Sequence, residues 1–191
     1  LRSHRGRTRE AGGDDISVML YTSGATGHFD GLKTRAAGEQ EVALDTAIFD
    51  VTFGVDVKVV RPVNLYGCRI GDGCFIGPFV EIQRNVTIGR RCRIQSHAFV
   101  CELVTIGDDC FIGHGVMFVN DLFRTGGPAR GDRSQWRATK IGSEVSIGSN
   151  ATILPVQIAD RVVIGAGAVV TRDLKHPGVY AGNPARLMRS L

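Results

Sequence analysis

His97 and His114 are the side chains in this chain best suited to move a proton near neutral pH. A positioned imidazole can take the proton from an amine or hydroxyl nucleophile, a service worth about 10²–10⁴-fold in rate. Glu102 and the pair Asn120-Asp121 are polar side chains that could hold such a nucleophile. A late basic cluster, Arg161, Arg172, Lys175, Arg186 and Arg189, suits a polyphosphate, which an arginine fork grips in bidentate fashion. No nucleic-acid motif occurs among these late charges, so a nucleic-acid partner is not expected.

The elements that must position these residues come from a six-residue repeat. From Ile70 it reads Ile70-Gly71-Asp72-Gly73-Cys74-Phe75 and continues through Ile76, Ile82, Ile88, Ile94, Val100, Ile106, Ile112 and Phe118. Each unit opens on an apolar residue, often followed by Gly, and carries a small residue fifth. Period six belongs to a chain that turns a corner every six residues, so three units make one coil. Cys74, Cys92 and Cys110 show that spacing directly, and on a three-sided prism they stack in one inward column.

The repeat extends upstream to Phe53, with five-residue units at Leu65 and Ile153, and it closes with units from Ile158, Ile164 and Val170. That predicts an all-β parallel β-helix of about six coils. The expected boundaries are a β-helix over 47–175, an extended loop inserted at 121–138 and marked by Gly126, Gly127, Pro128 and Gly131, and a short C-terminal tail at 176–191. Residues 1–46 fall outside the repeat and are expected to be disordered and dispensable. Within them Met19–Gly27 resembles the phosphate-binding loop of adenylate-forming enzymes, but His28-Phe29-Asp30 stands where Pro-Lys-Gly would follow, and the match reads as chance.

Counting by units puts His97 (fourth of its unit) and His114 (third) at one corner on adjacent coils. Ser149-Asn150 and Ala166-Gly167 continue that corner across the insertion. Glu102 and Asn120, both third residues one coil apart, stack with Asp121 at a second corner. The bland reading of any corner residue is a solvated surface group.

The chain has 191 residues, 43% of them hydrophobic, a net charge of +4 and five cysteines without a CxxC pair. That suits one domain with a real core. Three of the cysteines occupy the core column, which favours packing over metal ligation and a reducing, cytoplasmic compartment. No metal site is expected. No apolar run reaches the roughly 18 residues of a membrane span.

The closing units Ile147–Thr152, Ile164–Asp173 and Tyr180-Ala181-Gly182-Asn183-Pro184-Ala185 resemble the ending of the hexapeptide-repeat acyltransferases, and the similarity covers residues 53–191. The resemblance implies a left-handed β-helix, acetyl-CoA as co-substrate, and a homotrimer whose site lies between subunits. Ile94-Gln95-Ser96-His97 followed by Phe118-Val119-Asn120-Asp121 is similar to N-acetyltransferases that act on amino sugars linked to a nucleotide diphosphate, as used in surface-polysaccharide synthesis. The O-acetyltransferases of galactosides, maltose and serine tend to carry a histidine in or near the loop, and Leu122 to Arg137 contains none.

On this reading His97 and His114 are catalytic, and Glu102, Asn120 and Asp121 bind the acceptor. Pantetheine runs past Gly148, Ser149 and Ala166, and its nucleotide phosphates meet Arg172, Lys175 and Arg186. The departing thiolate could itself accept the amine proton, so a protein base is not obligatory. Three other readings remain: O-acetyl transfer, a non-catalytic scaffold, and a zinc-dependent carbonic anhydrase of the same fold, whose third histidine would have to be the remote His176.

Overall fold

The computed structural model describes residues 48–191. The 1–46 segment, with its Met19–Gly27 stretch, lies outside the described residues. Each repeat unit becomes a strand of two or three residues followed by a tight corner, and three sheets result. The first face is built from Ile48–Phe49, Asn64–Tyr66, Glu81–Ile82, Phe99–Val100, Met117–Phe118, Thr152–Ile153 and Val169–Val170. The second holds Thr52–Phe53, Arg69–Ile70, Thr87–Ile88, Val104–Ile106, Thr139–Ile141 and Gln157–Ile158. The third runs from Lys58–Val59 through Phe75–Ile76, Arg93–Ile94, Phe111–Ile112, Ser146–Ile147 and Val162–Ile164 to Gly178–Ala181 and Arg186–Ser190.

Pairing joins the same unit position in successive coils. Ile76 pairs in parallel with Ile94, Ile94 with Ile112, Ile112 with Ile147 and Ile147 with Ile164. The five-residue units keep this register, since Leu65 still pairs with Ile82 and Ile141 with Ile158. These column residues are 0–4% exposed and form one continuous core. The solenoid is a left-handed β-helix, an exception to the usual right-handed crossover.

Two local rules make the corner. At its fourth position the chain takes the left-handed conformation, with φ of 60° at Phe79, 62° at His97, 58° at Asn150 and 67° at Gly167. An L-residue there costs about 1–2 kcal/mol, which coil pairing must offset. The glycine after the aliphatic residue answers a different need. A Cβ on Gly113 would lie 2.7 Å from the Ile147 carbonyl oxygen of the next coil, too close for any side chain.

Thiols continue the inward ladder. Cys74, Cys92 and Cys110 donate to the carbonyls of Gly89, Gly107 and Gly142, each one coil on, at 3.0–3.1 Å. All five cysteines are buried and free, and burial pushes Cys68 and Cys101 up to about 12, so they are protonated packing groups at neutral pH.

Two features differ from the repeat count. The helix has about seven turns because a coil begins at Ile48, where the five-residue spacing to Phe53 and the lack of glycine hide the repeat. Most of the stretch read as a tail forms a hairpin that extends the third face. Gly178–Ala181 pairs in parallel with Val162–Ile164, and Arg186–Ser190 returns antiparallel.

Phe118 is the bulkiest fully buried side chain of this core. Phe118→Ala is expected to destabilise the chain by about 3–5 kcal/mol, and Thr87→Ala on the exposed second face by less than about 0.5 kcal/mol. Urea unfolding of both variants checks this; equal midpoints would contradict a shared axial core.

Candidate functional site

The corner between the third and first faces carries both histidines. The Ile94–Ile112 pairing places the two units one coil apart, and both imidazoles are exposed. His97 stacks on Phe79 of the coil below, ring centroids 4.8 Å apart and planes 25° apart. The coil below also holds its backbone, since the His97 N–H donates to the Pro78 carbonyl at 3.2 Å. His114 stands between Ser96 and Ser149, with the Asn150 N–H donating to its carbonyl at 2.8 Å. The expected upward continuation is present: Gly115 N–H reaches the Ser96 carbonyl and Gly167 N–H the Ser149 carbonyl.

What separates this corner from its neighbour is the treatment of outward backbone donors. Between the second and third faces, side chains one coil on cap them. Asp72 accepts from the Val55 N–H at 2.8 Å, Asp108 from the Arg90 N–H at 2.8 Å, Ser143 from the Asp108 N–H at 3.1 Å, and Asp160 from the Ser143 N–H at 2.7 Å. Arg90, with two side-chain N–H groups on one Asp108 oxygen, and the bidentate Arg91–Asp109 pair close that edge further. At the histidine corner the corresponding N–H groups of Ser96, His114, Ser149 and Ala166 meet no acceptor among the described residues. A row of outward amides about 4.8 Å apart beside two imidazoles can bind a narrow chain rich in carbonyls, and can steady an oxyanion. Backbone amides beside Gly and Ala at this corner were expected from the sequence; Phe79 was missed, although unit counting places it directly below His97.

Glu102, Asn120 and Asp121 come together at the corner between the first and second faces, but they are buried there. The inserted loop folds over them. Glu102 is 2% exposed, pairs with Arg133 at 3.1 Å, and accepts the Asn120 Nδ2 on its backbone carbonyl at 3.4 Å. Asp121 is committed to the loop: one carboxylate oxygen accepts from the Phe123 N–H at 2.9 Å and the other from the Ala129 N–H at 2.7 Å. Trp136 packs with Ala129 against Leu103, so it anchors the loop on its own prism. Glu102 Oε2, Asn120 Oδ1 and Trp136 Nε1 lack hydrogen-bond partners in this buried patch. Glu102 Oε2 and Asn120 Oδ1 are acceptors enclosed without a donor, the kind of group that a donor would satisfy. Burial holds the Glu102 carboxyl above the ordinary glutamate range, while Arg133, Arg84 and Asn85 pull it back.

The basic residues grouped in sequence are divided in space. Arg186 pairs with Ala181, which lies over Gly165 at the end of the third face. Arg172 stands on the corner above Glu102 and Asn120, between Val170 and Leu174, and Lys175 follows the Ile158–Leu174 bridge of the second face. His176 lies beyond that bridge, away from the His97 corner.

The repeat that builds this prism matches known sequence families. Two repeat models match, bacterial transferase hexapeptide (six repeats) over residues 67–102 and hexapeptide repeat of succinyl-transferase over 103–117 and 138–172. The chain carries the repeat of the hexapeptide-repeat transferases. The bifunctional protein GlmU of Paenarthrobacter aurescens (strain TC1) is 31% identical over 159 residues, 74% of this chain and 30% of the relative. The chain thus spans about a third of the curated relatives it matches.

Among solved structures, the hexapeptide-repeat acetyltransferase VCA0836 of Vibrio cholerae, complexed with acetyl coenzyme A, matches with a TM-score of 0.57 and 26% identity over 65% of this chain and 71% of that one. A galactoside acetyltransferase in complex with coenzyme A matches at 0.55 and 31% over 63% and 64%. A perosamine N-acetyltransferase variant of Caulobacter crescentus matches at 0.51 and 23% over 72% and 56%, a likeness of fold.

The raised Glu102 carboxyl makes stability depend on pH with a defined sign. The folded state binds this proton more readily than the unfolded state, so the contribution is fully present below the ordinary glutamate range and is lost as pH rises through the raised folded value. Glu102→Gln fixes the neutral form, and its melting temperature should fall less over that interval. Parallel thermal melts against pH test this; identical slopes would mean the carboxyl is solvated.

Proposed function

We propose that the chain is an acetyl-CoA-dependent N-acetyltransferase that works as a homotrimer. On this reading its acceptor is the amine of a sugar linked to a nucleotide diphosphate, in surface-polysaccharide biosynthesis. The observation that carries it is the uncapped amide row Ser96, His114, Ser149 and Ala166 beside two exposed imidazoles. Pantetheine has the width and the amide carbonyls to lie along that row, past Gly148 and Gly167, and a Cβ on Gly167 would meet nothing within 4 Å. Arg186 at the end of the row would take the phosphates of CoA. The likeness to an acetyltransferase solved with acetyl coenzyme A supports this use of the corner.

The chemistry is a simple acyl transfer. The neutral amine nitrogen attacks the thioester carbonyl carbon, forming the C–N bond and a tetrahedral oxyanion. Outward N–H groups at the His97 corner stabilise that charge. The C–S bond then breaks and CoA leaves as thiolate. His97, braced on Phe79, takes the amine proton; the thiolate, near the ordinary thiol range of ~8.5, is the other acceptor.

The trimer follows from the division of the site. Glu102 and Asn120 offer unpaired acceptors for the amine on one corner, and the histidines stand on another. A neighbouring prism would bring the two together and would carry Arg172 and Lys175 toward Arg186. O-acetyl transfer to a sugar hydroxyl is the second reading, favoured by the 31% identity to a galactoside acetyltransferase.

Turnover of nucleotide-linked amino sugars and of free glycosides with acetyl-CoA, followed by thiol release, decides between amine and hydroxyl. Release with neither class sinks both. His97→Asn should lower kcat by about 10²-fold with acetyl-CoA affinity kept. A loss below about tenfold with an unshifted pH–rate profile would assign the proton to the thiolate. Replacing Arg172 and Arg186 together by Ala should raise the KM for acetyl-CoA more than that for the acceptor. The reverse ranking would invert the polarity of the site.

A further inference from the structure

The outward row of the third face alternates cations and aromatic rings. Register stacks Lys58 beside Phe75, Phe75 beside Arg93 and Arg93 beside Phe111. The rows of the other faces lack this pattern; the second-face row is rich in threonine at Thr52, Thr87 and Thr105. The Arg93 guanidinium lies over the Phe75 ring, 5.0 Å from its centroid, which fixes the fork. Lys58, Phe75 and Arg93 line a cleft of about 840 Å³ together with Asp56, Val57, Gly73 and Cys74. Phe111 next in the row is 40% exposed.

We infer that this cleft is the nucleoside-diphosphate subsite of the acceptor, an assignment that rests on the acetyl-transfer reading above. The set of groups matches the parts of such a ligand. Arg93 and Lys58 supply a planar fork and a point charge for the two phosphates. Phe75 and the guanidinium plane stacked on it give a flat surface for the base. Asp56, the one carboxylate of the cleft, opposes phosphate but accepts from ribose hydroxyls, so it orders the ligand with phosphates toward Arg93 and ribose toward Asp56.

Position agrees with this direction. Arg93 belongs to the strand that leads directly into the Gln95–His97 corner, and Lys58 lies two coils below it, roughly 10 Å along the axis at strand spacing. A sugar joined to phosphates at Arg93 would therefore reach the corner that carries His97 and Phe79.

Calorimetry on the full chain with UDP, GDP and dTDP, each alone, tests the subsite without acyl transfer. At least one should bind, more tightly than inorganic pyrophosphate and more weakly as salt rises. Arg93→Ala should weaken it at least about tenfold, Lys58→Ala less, and Arg93→Lys should restore only part. Acetyl-CoA binding, measured in parallel, should be unchanged in every variant. Native affinity in Arg93→Ala overturns the assignment. So does dissociation of the native oligomer by these variants in light scattering, which would make the row an interface between copies. Acetyl-CoA binding without any nucleoside-diphosphate binding also overturns it, and leaves acetyl transfer standing. Binding of neither ligand removes both readings.

Discussion

Backbone hydrogen bonds between coils are the interaction on which the rest of this molecule depends. Each strand donates to and accepts from the coils beside it, as in Gly77 N–H to the Ile94 carbonyl and Gly113 N–H to the Ile147 carbonyl, both 2.8 Å. No coil can satisfy these groups or cover its apolar residues alone, so stability is shared along the axis. The pairing also imposes identity of position. Once Ile94 must lie on Ile76 and under Ile112, every other place in the unit is stacked as well, and a column is either all core or all surface. The inserted loop obeys the same demand. It exits after Asn120 and returns with Arg137 bonded to the Asn120 carbonyl and Thr139 to the Leu103 carbonyl, so Ile141 still pairs with Ile106.

The three corners share nearly the same backbone and differ in what happens to the donors that point outward. Between the second and third faces the Asp or Ser after the glycine caps the N–H of the coil below, and Arg–Asp pairs add a screened, exposed ion ladder worth little to stability. Where Ser96, His114, Ser149 and Ala166 occupy that place, the donors remain open. An open corner therefore needs no special fold. It needs only the caps left out along one edge.

The third arrangement, under the loop, is a buried polar patch. Glu102 would be solvated on a bare prism, because its corner position points outward. The loop converts it into a desolvated carboxyl by seating Trp136 on Leu103 and bringing Arg133 to 3.1 Å. Asp121 spends both carboxylate oxygens on holding the loop in that place. A surface corner thus acquires a raised carboxyl and unpaired acceptors, the properties that make a polar group useful to a ligand.

The sequence by itself determined the repeat, the prism, the short units at Leu65 and Ile153, the loop and the sharing of one corner by His97 and His114. It could do so because the pairing of identical unit positions turns spacing into neighbourhood. The C-terminal hairpin escaped it, since that stretch lacks the six-residue signature. Only the tertiary structure decided the burial of Glu102, the division of Arg172 from Arg186, the stacking of His97 on Phe79 and the open amides at one corner. These depend on where a loop lands, which corner ends a coil, and whether a side chain one coil away finds a backbone donor. The spacing of hydrophobic residues carries none of that information.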